Sequence, residues 1–396
     1  MLNHFEKHEP YPILYPQPTS FTYRRLLKKL ARPLNRFIER HYCVFESSRN
    51  DFRQLATQFD EELINCCLTW HNAYASHEAV ESFVYDVPLS VIIEPQYGWT
   101  FVEPFLLLNR ALTFNYDIPL PSLRQYLRTR IGRSRRIQHV DAVISLRTHS
   151  DTSYSHTVND VFGKIALLHS LGYLARYPLL ISHTLAQWRP FQQAMVRMKI
   201  PTNRFIVQTD QYIAARRIVY AKTEGYTRAT FDRILSMLSV PEPPEQGTKR
   251  LLICRRESRT IKNLDEVASV CKQWQIELID PAAMSYDEQI ALFSQAEFIG
   301  GLHGAGFVNM MFRQGKPLTL LEIFPKSLIS PHNYWLASQY AYHYTAMLTK
   351  QIPDNVSRDH DEFTLEDYVA CVNTEHEIET NTLESKLQKI LGTPLS

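Results

Sequence analysis

The chain has 396 residues, which is enough for two or three domains that each bury a core. Its 44% hydrophobic and 12% aromatic residues are typical of a compact soluble protein and exclude a disordered or fibrous chain. The net charge of +2 indicates no particular partner, although arginines and lysines crowd residues 24–40 and 124–136 and residues 354–384 are acidic.

The cysteines and the N-terminus predict the cellular compartment of the protein. The six cysteines show no CxxC pair and no metal-ligand spacing, which favours reduced thiols in the cytoplasm. The proline-rich first 20 residues lack an apolar core of signal length, and no apolar stretch approaches the roughly 18 residues of a membrane span. We therefore expect a cytoplasmic protein.

The basic segment 21–40 allows two interpretations. It is predicted to be an amphipathic helix, kinked at Pro33, that is either solvated or packed on the protein. Alternatively, it makes peripheral contact with anionic lipid on the inner face of the membrane. No nucleic acid partner is expected, because there is no recognisable binding motif and no overall positive excess.

The first half of the chain is predicted to mix helices and strands. A second amphipathic helix is expected at residues 51–73. Strands are expected at residues 90–93, 99–102, 142–146, 178–181 and 205–207, and a helix from Tyr154 to Leu171.

The second half alternates more clearly. Closely spaced prolines indicate a linker at residues 240–249. Beyond it we predict strands at residues 251–254, 276–279, 298–299 and 318–321, with helices at residues 263–274, 286–296 and 333–340. Such alternation predicts a parallel sheet, and two domains of this kind suggest a ligand cleft between them.

The most informative segment is FIGGLHGAGFVNMMFRQGKPLTLLE, residues 298–322. An apolar strand, a glycine-rich turn, an amphipathic helix and a second strand are typical of a nucleotide site. Small residues let backbone amides approach a phosphate, and a helix N-terminus adds partial positive charge. We expect this role for Gly304, Ala305 and Gly306. Glu322, at the tip of the second strand, is expected to accept hydrogen bonds from ribose hydroxyls.

Several motifs in a fixed order make residues 251–324 resemble the C-terminal half of the family 61 glycosyltransferases. They are a strand ending in Arg255 and Arg256 with Arg259, then Asn263, Gln289, His303-Gly304-Ala305-Gly306, Asn309 and Glu322. A weaker match lies upstream at His156 and Asp160, where Ser155 and Thr157 replace the aromatic residue often seen beside that histidine.

The resemblance implies an α/β fold of the GT-B type, with two Rossmann-like parallel-sheet domains facing across a cleft. It also implies inversion at the anomeric carbon without an essential metal. We predict an N-terminal extension at residues 1–80, an acceptor domain at 81–239, a linker at 240–249 and a nucleotide-sugar domain with an acidic tail at 250–396.

Without a metal, guanidinium groups and a helix N-terminus must take the charge of the departing diphosphate. We expect Arg255 and Arg259 to do so, since Arg255 and Arg256 would point to opposite sides of a continued strand. His303 could donate to a phosphate or to the sugar. Support is expected from Arg256, Asn263, Gln289 and Asn309. The alternatives are solvated arginines, an ordinary tight turn, a structural histidine and amide side chains that only cap or brace.

The acceptor hydroxyl must also lose a proton. His156 and Asp160 are four residues apart on one helix face, so His156 could accept that proton while Asp160 orients it, or Asp160 could act itself. The alternative is a structural His–Asp pair.

We therefore predict a glycosyltransferase that moves a hexosyl, pentosyl or N-acetylhexosaminyl group from a nucleotide-sugar, most simply a UDP-sugar, without a cofactor. The expected acceptor is a glycan or lipid-linked glycan in polysaccharide biosynthesis. One rival is another Rossmann enzyme that binds a dinucleotide, against which stands the spacing G-x-x-G-x-G in place of G-x-G-x-x-G. The other is a non-catalytic nucleotide- or glycan-binding relative.

Overall fold

A computed structural model of the chain describes residues 33–47, 50–51, 79–80, 82–96, 98–102, 106–107, 136–148, 153–223, 225–325, 332–350 and 375–392. These residues form a nine-stranded sheet, a five-stranded sheet and a short two-stranded pair. Apart from Asp51, which lies in a strand, the predicted helix at residues 51–73 is outside the described ranges. So are the first 32 residues and the arginines at 124–135.

The strands are numbered in chain order. They are β1 Cys43–Glu46, β2 Asn50–Asp51, β3 Ala79–Val80, β4 Phe83–Val87, β5 Val91–Ile93, β6 Thr100–Val102, β7 Leu106–Leu107, β8 Ile137–Ser145, β9 Leu179–Ser182, β10 Phe205–Gln208, β11 Tyr212–Lys222, β12 Lys249–Ile253, β13 Ile276–Ile279, β14 Ala296–Leu302, β15 Thr319–Phe324 and β16 His343–Leu348.

The helices are numbered in the same way. They are α1 at residues 33–42, α2 Tyr154–His156, α3 Gly163–Ser170, α4 His183–Gln187, α5 Arg189–Arg197, α6 Arg228–Met237, α7 Leu264–Gln273, α8 Tyr286–Phe293, α9 His332–Gln339 and α10 Thr380–Leu391. A π-helical segment spans Thr157–Phe162, and 3-10 helices span Thr202–Arg204, Pro281–Ala283 and Ala305–Arg313. Among the described residues, no helix is long and apolar enough to cross a membrane.

The second sheet confirms the predicted alternation. Its strand order is β13-β12-β14-β15-β16, and every neighbouring pair is parallel. The carboxyl ends of all five strands therefore lie along one edge, which is where ligands bind in sheets of this kind.

The first sheet is parallel only in part. Strands β10, β9, β8 and β11 run parallel, whereas β4 and β5 pair with the other side of β11 in the antiparallel sense. The expectation of a wholly parallel sheet was wrong here. Strand β6 also pairs with β5 in the antiparallel sense, because the connection between these two strands is too short for a crossover. Strand β1 pairs with β4, so part of the predicted N-terminal extension forms an edge of this sheet.

The described end of the basic N-terminal helix packs on the protein. Ile38 is buried in the core of the first sheet, and Leu34 packs against the same core. Phe37, on the outer side, is partly exposed and stacks on His41. Docking of this part of the helix agrees with the first of the two interpretations given above.

Three elements around the glycine motif differ from the prediction. Strand β14 continues through Gly300 and Gly301 to Leu302, and β15 continues past Glu322 to Phe324. Between them lies a 3-10 helix in place of the expected amphipathic one. Its residues 307–313 are all buried, so it has no solvated face. Phe312 packs against Tyr286 of α8, and the hydroxyl of Tyr342 donates to the carbonyl of Met310 at 3.1 Å.

The predicted linker has no regular secondary structure but is firmly held. The fully buried Arg313 donates to the carbonyls of Pro244 at 3.0 Å and Glu245 at 3.3 Å within it. The same guanidinium reaches the carbonyls of Ser294 and Pro317 in the second half. One cation thus ties residues 244 and 245 to the end of the 3-10 helix.

Replacing Arg313 with Met should destabilise the fold. Met keeps much of the buried length but leaves four carbonyls without their donor, so we expect the free energy of unfolding to fall by about 2 to 4 kcal/mol in urea titrations. Arg216→Met is the control, since that side chain is 85% exposed and its ion pair with Asp141 is weak. Equal denaturation midpoints for the two variants would contradict this account.

Gly301 of β14 and Gly306 of the following 3-10 helix differ in the space around them. Gly301 has a φ of +148°, and a Cβ there would lie 2.7 Å from the carbonyl oxygen of Ile253. At Gly306 a Cβ would meet Ile253 only at 3.4 Å. Gly301→Ala should therefore lower stability by about 1 to 3 kcal/mol, whereas Gly306→Ala should change it by less than about 0.5 kcal/mol. Thermal denaturation of both variants checks this, and the reverse order would refute the packing described.

Candidate functional site

The predicted donor residues gather at the carboxyl edge of the second sheet. Arg255 follows β12, and His303 and Gly304 follow β14, the neighbouring strand. Because β12 and β14 are parallel and adjacent, residues just beyond their ends meet although about fifty positions separate them in sequence.

Arg255 lies directly against the glycine turn. A Cβ built on Gly304 would lie 2.5 Å from a terminal nitrogen of the Arg255 guanidinium, so only glycine leaves room for it. The backbone of Gly304 is extended, and its requirement for glycine is therefore one of space. Burial lowers the pKa of Arg255, while the charge of Asp280 beside it acts in the opposite direction. Arg256 is exposed, which agrees with the prediction that the two side chains diverge.

Arg259 braces the turn from its other side. Its backbone is left-handed, with a φ of +52°, and its Nη1 donates to the carbonyl of His303 at 2.8 Å. A non-glycine residue in this conformation is held by its surroundings. Both arginines expected at the phosphates therefore lie against the turn, and Arg259 donates a hydrogen bond to its backbone.

His303 is fixed by a buried carboxylate. Its Nδ1 donates to Oε1 of Glu322 at 2.6 Å, and its ring stacks on Phe324 with centroids 5.2 Å apart. An ionised carboxylate only accepts, so the proton of this bond belongs to Nδ1. Among the described residues, none hydrogen-bonds Nε2. The imidazole is therefore held in one orientation with Nε2 as its available atom.

Glu322 was predicted to lie at the tip of a strand. It lies instead inside β15, where it is fully buried. Besides His303, it accepts from Asn333 Nδ2 at 2.5 Å and from the hydroxyl of Tyr344 at 2.5 Å. The donors thus come from the turn after β14, from α9 and from β16. Both oxygens are occupied by protein groups, so the carboxylate is built to hold side chains in place.

The amide residues brace other parts of the fold. Asn263 donates to the carbonyl of Ile378 at 2.8 Å and accepts from its amide at 3.0 Å, which fastens the C-terminal segment near α10. Gln289 and Asn309 are buried and bond each other at 2.9 Å, and Asn309 also accepts from the hydroxyl of Tyr154 at 2.6 Å. These contacts match the alternative in which the three amide side chains only brace the fold.

The two residues predicted to act as the catalytic base, His156 and Asp160, lie in a helix of unusual form. Residues 154–170 are helical as expected, but Thr157–Phe162 form a π-helical segment, and such segments often mark functional sites. His156 is half-buried just before this segment, and Asp160 is buried within it.

Tyr226 is a neighbour of Asp160 that the sequence did not indicate. Its φ is +58°, and its amide donates at 2.9 Å to the side chain of the buried Asn159. Burial raises the pKa of Tyr226, the charge of Asp160 raises it further, and a hydrogen bond with Ser155 lowers it. The Tyr226 ring also lies 4.9 Å from that of His332, the first residue of α9. Tyr226 therefore stands between the residues predicted to act as the catalytic base and α9, the helix that supplies Asn333.

Tyr226, Asn333 and Tyr344 carry no sequence signal that distinguishes them from ordinary polar residues. Only Asn333 could have been found by looking for polar residues beyond the ends of parallel strands, because it lies in a polar cluster shortly after β15. Among the residues that the structure describes, no group of three or more His, Cys, Asp or Glu side chains could hold a metal ion.

Comparison with known proteins agrees with this geometry. Residues 154–321 match the family model described as Glycosyltransferase 61. No curated protein matches the chain. The matched region begins at the helix that carries His156 and Asp160 and includes Arg255, Arg259 and the glycine turn. Over this region the chain is similar to the family 61 glycosyltransferases, and the resemblance drawn from its motifs is confirmed.

Proposed function

We propose that the chain is an inverting, metal-independent glycosyltransferase of the GT-B type that uses a UDP-sugar. The observation that carries this proposal is the contact of Arg255 with Gly304, beside an oriented His303, at the carboxyl edge of the parallel sheet. A guanidinium, an imidazole and a turn of small residues together suit a diphosphate.

In this proposal Arg255 forms charge-assisted hydrogen bonds with the diphosphate, and the amides of Ala305 and Gly306 face it from the start of the 3-10 helix. Arg259 keeps the turn in shape through the His303 carbonyl. These fixed donors stabilise the charge that develops as the sugar leaves, which is the main task of a site without a metal.

His303 contributes through Nε2. Glu322 fixes the ring through Nδ1, so Nε2 is directed away from the carboxylate, where it can bond to a phosphate or to the sugar. Glu322 therefore acts through His303, and this role takes the place of the ribose contact expected from the sequence.

The base comes from the helix 154–170. His156 and Asp160 stand on either side of the start of the π-helical segment, and together they remove the proton of the acceptor hydroxyl. A direct displacement with inversion follows when the acceptor oxygen attacks the anomeric carbon from the face opposite to the diphosphate.

As acceptor we propose a glycan or lipid-linked glycan in polysaccharide biosynthesis, bound beside the first sheet, with the sugar transferred being a hexosyl, pentosyl or N-acetylhexosaminyl group. A cytoplasmic enzyme with membrane contact through residues 21–40 would suit a lipid-linked acceptor.

Gly304→Ala tests the donor site. The new methyl group would displace the end of a flexible Arg255 side chain, so the fold should be kept while the guanidinium moves. Loss of one charge-assisted contact predicts an approximately tenfold or greater rise in the Kd for UDP by calorimetry. The melting temperature without nucleotide should stay close to that of the wild type. Unchanged UDP affinity would show that Arg255 does not bind the diphosphate.

His156→Ala and Asp160→Asn test the base. Each should slow UDP release from UDP-sugars in the presence of acceptor by roughly 10² to 10⁴, while UDP affinity is retained. Full activity in both variants would refute the assignment of the base. A wild-type chain that binds UDP but never turns over would instead support the non-catalytic rival.

A further inference from the structure

A line of hydrogen bonds crosses from the first half of the chain to the second. The hydroxyl of Tyr154 donates to Asn309 Oδ1 at 2.6 Å, and Asn309 Nδ2 donates to Gln289 Oε1 at 2.9 Å. Gln289 Nε2 then donates to the carbonyls of Pro281 at 2.9 Å and Met284 at 3.4 Å. The directions are consistent from end to end, so each amide has one orientation.

This line joins the two predicted parts of the active site. Tyr154 is the first residue of α2, two positions before His156 and six before Asp160. Asn309 lies in the 3-10 helix that begins at Ala305, directly after the glycine turn. The segment Pro281–Met284 follows Asp280, whose charge acts on Arg255. The helix that carries His156 and Asp160 is thereby attached to the 3-10 helix after the donor turn and to the segment that follows Asp280.

The surroundings strengthen this line of hydrogen bonds. Asn309 is fully buried and Gln289 nearly so, and an unmade hydrogen bond is expensive in such a setting. Tyr154 packs edge-on against Trp188 and Tyr286. Burial raises the pKa of Tyr154 well above its ordinary value, so its hydroxyl keeps the proton that it donates.

We infer that Tyr154 is a positioning residue for glycosyl transfer, which, through Asn309 and Gln289, sets the place of the base helix relative to the donor turn. The inference rests on the proposed function, since it concerns the same reaction. It predicts that loss of the Tyr154 hydroxyl impairs turnover but leaves nucleotide binding intact, because no member of the line is a proposed diphosphate ligand.

The test compares Tyr154→Phe with Tyr220→Phe, which removes a buried hydroxyl from the core of the first sheet. Each variant is assayed for UDP affinity by calorimetry and for UDP release from a panel of UDP-sugars, with water or added glycans as acceptor. Tyr154→Phe should lower kcat about tenfold to a hundredfold with an unchanged Kd for UDP. Tyr220→Phe should alter neither.

A double variant separates positioning from general damage. Asn309→Leu breaks the same hydrogen bond, so adding Tyr154→Phe to it should lower kcat little further. Additive losses, a wild-type kcat in Tyr154→Phe, or equal losses in kcat and UDP affinity would overturn the inference while the proposed function stands. A wild-type chain that releases no UDP from any donor would overturn the proposed function, and the inference with it.

Discussion

The site depends on one buried carboxylate. Glu322 is fully buried, and a buried charge is tolerated only when its hydrogen bonds are made. Its partners His303, Asn333 and Tyr344 come from three elements around β15, so a single group fixes the turn after β14, the start of α9 and the neighbouring strand. The orientation of His303, and hence the chemistry proposed for it, follows from this arrangement.

A second constraint is the attachment of the two halves. Phe162 of the first half packs on Tyr286 of α8, and one apolar core contains helices that flank both sheets. Arg197 pairs with Asp287 at 2.6 Å, and the buried Arg313 holds the linker in place. The proline-rich joint is therefore fixed to the second half by hydrogen bonds, and the helix that carries His156 and Asp160 keeps a defined relation to the donor turn.

Elements set by local apolar runs could be predicted from the sequence, and those set by tertiary partners could not. Four of the five strands of the parallel second sheet were predicted because each is a short apolar run beside a helix, whereas β16 was missed. Strand β11 was missed because Arg216 and Arg217 interrupt its apolar run, and the pairing of Arg217 with Asp86 of β4 at 2.6 Å is a contact between residues far apart in sequence. The glycine turn pointed to Arg255 and His303. Three features arise from contacts between residues far apart in sequence. They are the hydrogen bonds that Glu322 accepts, the π-helical segment and the position of Tyr226.

The most direct test of the central claim is thermal stabilisation by UDP, GDP, CMP and NAD, with and without EDTA, in the wild type, Arg255→Ala and the adjacent Arg256→Ala. A ligand that binds only the folded chain raises its apparent stability according to its excess over Kd. The account predicts a shift with UDP that survives EDTA, persists in Arg256→Ala and is lost in Arg255→Ala. A shift with NAD alone, or with none of the nucleotides, would contradict it.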